Sequence, residues 1–496
     1  MFLKGSVALS FHQLSFFLFF PITLLIVFAV PARFQNGVLL AASWLFYAFA
    51  TPQWLVLLIA ESVAVWALTL WMDKAQGKQR KLRLFLLCAA TVGVLIACKA
   101  SGLALQSTTG FSLILPLGIS FFTLQSASYA IDVYRQTCPA EKSFVRTTLF
   151  VSFFCVISSG PILRAGSFLP QLNKPRRFRA DRAAHALVTL GQGYLYKVAI
   201  ADVLAVFVNG VYADVFSYQG LTLAAAALGY GFQLYFDFVG YSLLAMGFAE
   251  LLGLELPVNF NTPYFSRSIK EFWSRWHISL SSWLRDYVYI PLGGNRRGTA
   301  RKCLNLLITF FVSGLWHGTG VCFLIWGLLH GLYQVCGTLT TPARARFRTA
   351  LHITEQNKLW NVVQCLFTFL LVQVAWVFFR SATPAEALYI LSAPFQSLSV
   401  SALWNDFFQI YNASLQTAIL VYAAAAFIVL SVFLGVVLES LRRFACKGTD
   451  LSGWILQRSF VVRWVIYYVL CGIIFGGFLL NNGYFSTAAN FLYNNF

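Results

Sequence analysis

Charge is scarce in this sequence. Only 11% of its 496 residues are Asp, Glu, Lys or Arg, where a soluble domain carries roughly a quarter. That is too few to wet the surface of a soluble globule of this size, and the mean hydropathy is strongly positive. Acidic residues are the scarcer kind, 17 against 36 basic. In a soluble protein such an excess would point to nucleic acid. Here the bases fall in short clusters between apolar segments, with no polar domain to carry them, so they read as membrane-orientation signals and no nucleic-acid partner is expected. The ten cysteines include no Cys-x-x-Cys pair, and Cys88, Cys98, Cys155, Cys303, Cys322, Cys365 and Cys471 lie in or beside apolar runs. Neither a metal site nor a disulfide framework follows from that spacing. Internal repeats and low-complexity stretches are missing too, which weighs against an inverted-repeat transporter.

What the sequence does have is apolar segments from end to end, at about 14–30, 37–50, 54–71, 84–99, 184–207, 221–252, 359–378, 414–438 and 460–480. A further crossing falls within 112–164, and 303–339 forms an apolar pair broken at Gly318-Thr319-Gly320. Several approach the ~20 residues needed to cross hydrocarbon, and 37–50 is short. The segment 14–30 is longer than a signal-peptide core and only Lys4 precedes it, so it reads as a retained first helix. The expectation is an all-α integral membrane protein, one polytopic domain over 1–496, with about ten or eleven spanning helices bound by lipid.

Basic clusters at Lys74–Arg83, Lys174–Arg182, Arg296–Lys302, Arg344–Arg348 and Arg442–Lys447 alternate with connections at 208–220, 394–413 and 482–496 that have no Lys or Arg. With the basic loops cytoplasmic, the alternation closes only if 112–164 crosses once and 303–339 enters and leaves on one side. Both conditions imply re-entrant backbone, which is tolerated where protein or a water-filled cavity surrounds it.

Polar information is concentrated in 257–331. Turn chemistry at Pro257–Tyr264 leads into Ser266–Leu280, where Trp273, Trp276 and Leu280 share one helical face. That pattern predicts an amphipathic helix at the cytoplasmic interface, and an anchoring role alone would account for it. Gly293-Gly294-Asn295-Arg296-Arg297 predicts a tight turn presenting amide and guanidinium donors. Such a turn suits a phosphate-bearing ligand, and equally suits a positive-inside loop. Ser313–Gly318 sets His317 between apolar helices, where a neutral imidazole can accept and return a proton. A lone buried histidine is more often structural, but His277 and His317 fall in one polar segment, and an ionisable group at membrane depth is a functional candidate.

The runs Phe272–Leu280, Trp283-Leu284-Arg285-Asp286-Tyr287, Ile290–Arg296 and Gly314-Leu315-Trp316-His317-Gly318 closely resemble the membrane-bound O-acyltransferase (MBOAT) family. The resemblance is greatest to the bacterial branch that O-acetylates alginate and peptidoglycan. Gly118–Phe122, Ile131–Arg135, Tyr235–Phe238, Gly240-Tyr241-Ser242 and Trp376–Arg380 extend it over about 110–380. It implies a helical bundle with re-entrant segments around a central funnel, in a bacterial inner membrane. His317 matches the family's catalytic histidine and His277 its second motif histidine, which leaves Trp316, Trp276, Asn295, Arg296 and Arg297 as candidate substrate contacts. The resemblance further implies cytosolic acetyl-CoA as acyl donor, no permanently bound cofactor, and an extracytoplasmic SGNH-like acetyltransferase partner that places the acetyl group on an envelope polysaccharide. Two alternatives are D-alanyl transfer to teichoic acid and, from another class, a proton-coupled transporter or flippase with His317 as proton relay. Departures at Leu243, Ser159 and the 491–496 ending bear on the acceptor rather than the reaction class.

Overall fold

The computed structural model describes residues 11, 13–109, 116–354, 356–415, 418–447 and 450–483. Lys4, residues 112–115, the stretch 484–496 and its aromatic ending lie outside the described residues. Within them the protein is all-α, with no strand. Among the described residues, eight helices are long and apolar enough to cross a membrane: Pro52–Asp73, Gly77–Ser101, Ala180–Ala213, Gly220–Leu251, Val321–Leu339, Lys358–Arg380, Ala418–Phe444 and Phe460–Leu480. Ser15–Ala29 and Phe144–Ile157 are apolar but shorter. Large apolar side chains such as Ile419, Leu359 and Val461 point outward, as lipid-facing residues do and soluble surfaces rarely repeat. The protein is therefore a multi-pass membrane protein.

Two compact units divide the chain, Met1–Leu190 with Tyr241–Pro257, and Gly191–Gly240 with Val258–Phe496. In the first, Phe11, Phe16, Phe20, Phe46, Phe154 and Phe248 form one aromatic core, with Phe20 and Phe248 centroids 4.6 Å apart. Buried amides tie its helices together. Gln125 donates to Phe150 O and accepts from Leu163 N, and Gln35 exchanges a pair of hydrogen bonds with the Arg176 backbone at 3.0 and 2.9 Å. Gly118 starts the Ile119–Tyr134 helix at φ +67°, and a Cβ there would lie 1.8 Å from Ile157 O.

In the second unit, helices Gly298–His317 and Val321–Leu339 pack against each other through glycines. A Cβ on Gly314 would meet Phe323 O at 2.6 Å, and one on Gly327 would meet Phe310 O at 2.5 Å, the close approach that small residues permit between membrane helices. The chain breaks between them at the extended Gly318, as the sequence predicts. Leu195–Ala201 is a π-helical stretch, where Lys197 Nζ lies 2.7 Å from both Asp202 and Asp237 and is 1% exposed.

Three boundary expectations change. The helix expected over 37–50 starts at Ala32, directly after Pro31, and the polar Gln35 and Asn36 have partners on the Leu169–Arg176 side of the fold. The helix expected to end near 207 runs on to Ala213. Most of the expected 394–413 connection is helix, Val400–Leu415. Its polar positions hide an inward face: Tyr411 is fully buried and donates to Val203 O at 2.8 Å, while Asp406 accepts from Thr222 at 2.6 Å.

Candidate functional site

The run Ser266–Leu280 does not form one amphipathic helix. Ser268 caps a five-residue helix, Ile269–Trp273, by accepting from Glu271 N, while the Glu271 carboxylate accepts from Arg267 N at 2.8 Å. This reciprocal cap resembles a capping box set one residue wider. The helix stops at Ser274, and a second one, Ile278–Leu284, begins after His277 at φ +43°. Left-handed backbone is uncommon for any residue with a Cβ, and the surroundings hold His277 there. They do so through Asn259: its carbonyl accepts from Ile278 N at 2.9 Å, and its Oδ1 accepts from Ser279 N, Ser279 Oγ and His277 Nδ1 at 3.2, 2.8 and 3.1 Å. The aromatic face that suggested an interfacial anchor is buried instead, with Trp273, Trp276 and Leu280 at most 8% exposed.

Asn259 Oδ1 takes its other two hydrogen bonds from the Ser279 amide and hydroxyl, so it is an acceptor, and His277 Nδ1 must carry the proton. Nε2 is then the basic nitrogen of His277. Burial pushes this imidazole down to about 3, so it stays neutral in the physiological range. Phe238 packs edge-on at 4.7 Å and Trp316 lies 6.3 Å away, centroid to centroid.

His317 ends the Gly298–His317 helix and is 5% exposed. Three rings enclose it: Trp316 at 4.7 Å, Trp326 at 4.8 Å and Phe379 at 5.2 Å. Trp316 therefore stands between the two motif histidines. Trp276 belongs to the same aromatic wall, 5.0 Å from Trp376, which stacks on Trp326 at 5.9 Å. His277, His317, Trp316 and Trp276 are thus brought together.

Asn295, Arg296 and Arg297 are not. They are exposed in a turn that Gly293 and Gly294 enter at φ +109° and +56°, anchored by Asn305 Nδ2 donating to Gly294 O at 2.8 Å. His317 lies at the other end of the 20-residue helix that follows, about 30 Å away at 1.5 Å per residue.

Several groups at the site carry no local signal of their role. Asn259 lies in the Pro257–Tyr264 turn, and its partners are far along the chain. His330 carried the same signal as His317, an ionisable group in an apolar helix, and is fully buried. Arg442 was counted among orienting loop charges, yet it is 6% exposed and lies 3.8 Å from Glu439. Glu439 in turn accepts from Tyr196 and Tyr235 at 3.0 and 2.6 Å.

A buried neutral histidine beside an aromatic wall can take a proton from a hydroxyl and return it, which suits group transfer at membrane depth. The relatives of this chain agree with that chemistry. The membrane-bound O-acyltransferase family model matches residues 141–380. The probable alginate O-acetylase AlgI of Pseudomonas fluorescens is 36% identical over 419 residues, 83% of this chain and 80% of its own. The peptidoglycan O-acetyltransferase of Helicobacter pylori is 34% identical over 78% of this chain and 80% of its own. The teichoic acid D-alanyltransferase of Bacillus subtilis is 30% identical over 44% and 58%. With likeness across four fifths of both chains and motif residues gathered around two buried histidines, the chain belongs to the membrane-bound O-acyltransferase family and is an O-acyltransferase.

Proposed function

We propose that this protein is an acetyltransferase of a bacterial inner membrane, taking acetyl from cytosolic acetyl-CoA and passing it outward for O-acetylation of a cell-envelope polysaccharide. The observation that carries this reading is His317, a buried imidazole between Trp316 and Trp326 at a helix end, in a chain similar over most of its length to alginate and peptidoglycan O-acetylases. In this reading His317 is the general base on a hydroxyl attacking the acetyl thioester, a role that typically contributes roughly 10² to 10⁴ in rate. His277 stands across Trp316 as a second, neutral imidazole and helps orient the reactants.

Acetyl-CoA is too polar to enter hydrocarbon whole. Its nucleotide stays at the cytoplasmic mouth while the acyl end reaches inward. The turn at Asn295, Arg296 and Arg297 offers forked donors for phosphate, and its separation from His317 along one helix suits a long, extended donor. The final transfer falls to an extracytoplasmic SGNH-like partner. D-alanyl transfer is the weaker reading, since likeness to two teichoic acid D-alanyltransferases covers 44% and 53% of this chain, against 83% and 78% for the alginate and peptidoglycan O-acetylases. The test is His317→Ala in cells, with acetate released from purified envelope polymer measured beside the amount of protein in the membrane. Loss of acetate at a normal protein level is expected; normal acetylation removes the assignment.

A further inference from the structure

His330 and Trp326 both sit on the Val321–Leu339 helix, and both are 0% exposed. Trp273 Nε1 lies 3.2 Å from His330 Nδ1. An indole N–H only donates, so Nδ1 is a lone-pair acceptor and the imidazole's single proton is on Nε2. The hydrogen bond itself excludes the imidazolium, which has no acceptor. His330 Nε2–H is therefore a buried donor with its tautomer set by Trp273, and it has no hydrogen-bond partner. The indole N–H of Trp326 is likewise buried with no partner. The two rings are 5.2 Å apart, and Trp326 is 4.8 Å from His317.

Leaving a buried donor unsatisfied costs about 1–3 kcal/mol. Two together beside the candidate base are a feature that an arriving ligand would satisfy. Both are donors and neither carries charge, so the complementary ligand is an oxygen with lone pairs that gains negative charge, not a cation or a hydroxyl proton. We propose that Trp326 Nε1–H and His330 Nε2–H hold the carbonyl oxygen of the acyl group during transfer. This rests on the acetyl-transfer reading above. The acceptor oxygen bonds to the thioester carbonyl carbon and gives its proton to His317, while the carbonyl π pair moves onto oxygen, where the two N–H groups stabilise it. Collapse re-forms the C=O and breaks the C–S bond, and the departing thiolate takes the proton from His317. An ester and free CoA thiol are the products. Trp316, a candidate substrate contact, packs between the two motif histidines, and Trp326 and His330 supply the donors.

The test uses inverted membrane vesicles from cells that make the full-length protein together with its native extracytoplasmic partner, with acetyl-CoA as donor, following CoA thiol release. Trp326→Phe keeps most of the ring and removes only the donor. The expected result is a fall in kcat of about 10² to 10³, with KM for acetyl-CoA within about twofold of the parent, as for loss of one oxyanion donor. Should Trp326→Phe fail to fold, His330→Gln against His330→Phe decides. Glutamine restores an N–H donor and is expected to stay within tenfold of the parent, whereas phenylalanine is not; equal loss in both overturns the proposal. An inert parent protein overturns the acetyl-CoA reading and this inference with it. Turnover that is lost in His317→Ala but intact in Trp326→Phe overturns this inference alone, leaving the two N–H groups as structural, water-satisfied donors.

Discussion

Arg442 donates to the carbonyl of Phe260 at 2.8 Å, so the Ala418–Phe444 helix holds the residue next to Asn259, the anchor of His277. Arg442 lies beyond the stretch matched by the family model, and its charge is offset by Glu439, to which Tyr196 and Tyr235 also donate. Removing one partner of a buried ion pair strands the other and typically costs about 3–5 kcal/mol. Arg442→Ala is expected to lower thermal stability in detergent by an amount of that order and to lower transfer activity through a loosened His277 turn. Arg442→Met combined with Glu439→Gln leaves no stranded charge and is expected to unfold at a higher temperature than either single variant. A double variant no better than the singles would remove the ion pair from this account.

Lys197 makes a similar case within the π-helical stretch, between Asp202 and Asp237. Lys197→Met leaves two carboxylates facing each other without a cation, and such variants are expected to accumulate poorly in the membrane. Adding Asp202→Asn and Asp237→Asn removes the repulsion and is expected to recover much of the protein level, read by blotting membrane fractions.

His277 sets a pH dependence. Its folded imidazole protonates only near 3, while in the unfolded chain it protonates near the ordinary value of about 6.5. Between these values the unfolded state binds more protons, so stability falls as pH drops through that window, by up to about 1.4 kcal/mol per pH unit. His277→Gln is expected to flatten the slope of thermal midpoint against pH between 6.5 and 4. A variant with the parent's slope would assign the acid sensitivity to other buried groups, His330 among them.

The exposed arginine turn separates two roles by measurement. Arg296→Ala with Arg297→Ala is expected to raise the acetyl-CoA concentration for half-maximal transfer several-fold with orientation unchanged. Orientation is checked by an impermeant thiol reagent on single cysteines in the Lys74–Arg83 and Arg296–Lys302 loops, which should stay unlabelled in intact cells. An unchanged half-maximal concentration in a correctly oriented protein leaves these arginines as membrane-side anchors.

Composition and local pattern alone determined the class of this protein. Scarce charge and recurrent apolar runs leave a chain of this length no soluble fold, and the break at Gly318 follows from local glycine chemistry. The motif histidines were legible for the same reason, as ionisable residues that stand out against apolar neighbours. Tertiary structure decided everything that depends on a partner distant in sequence. The periodicity of Trp273, Trp276 and Leu280 is compatible with one continuous helix, and only Asn259, folded back against His277, breaks it. Arg442 looks like any other loop base until Glu439, Tyr196, Tyr235 and Phe260 surround it. The tautomer of His330 was set by an indole from another helix. Propensity and hydropathy act along a few turns of chain, whereas hydrogen-bond satisfaction in a dry interior is settled by whichever groups the fold brings within about 3 Å.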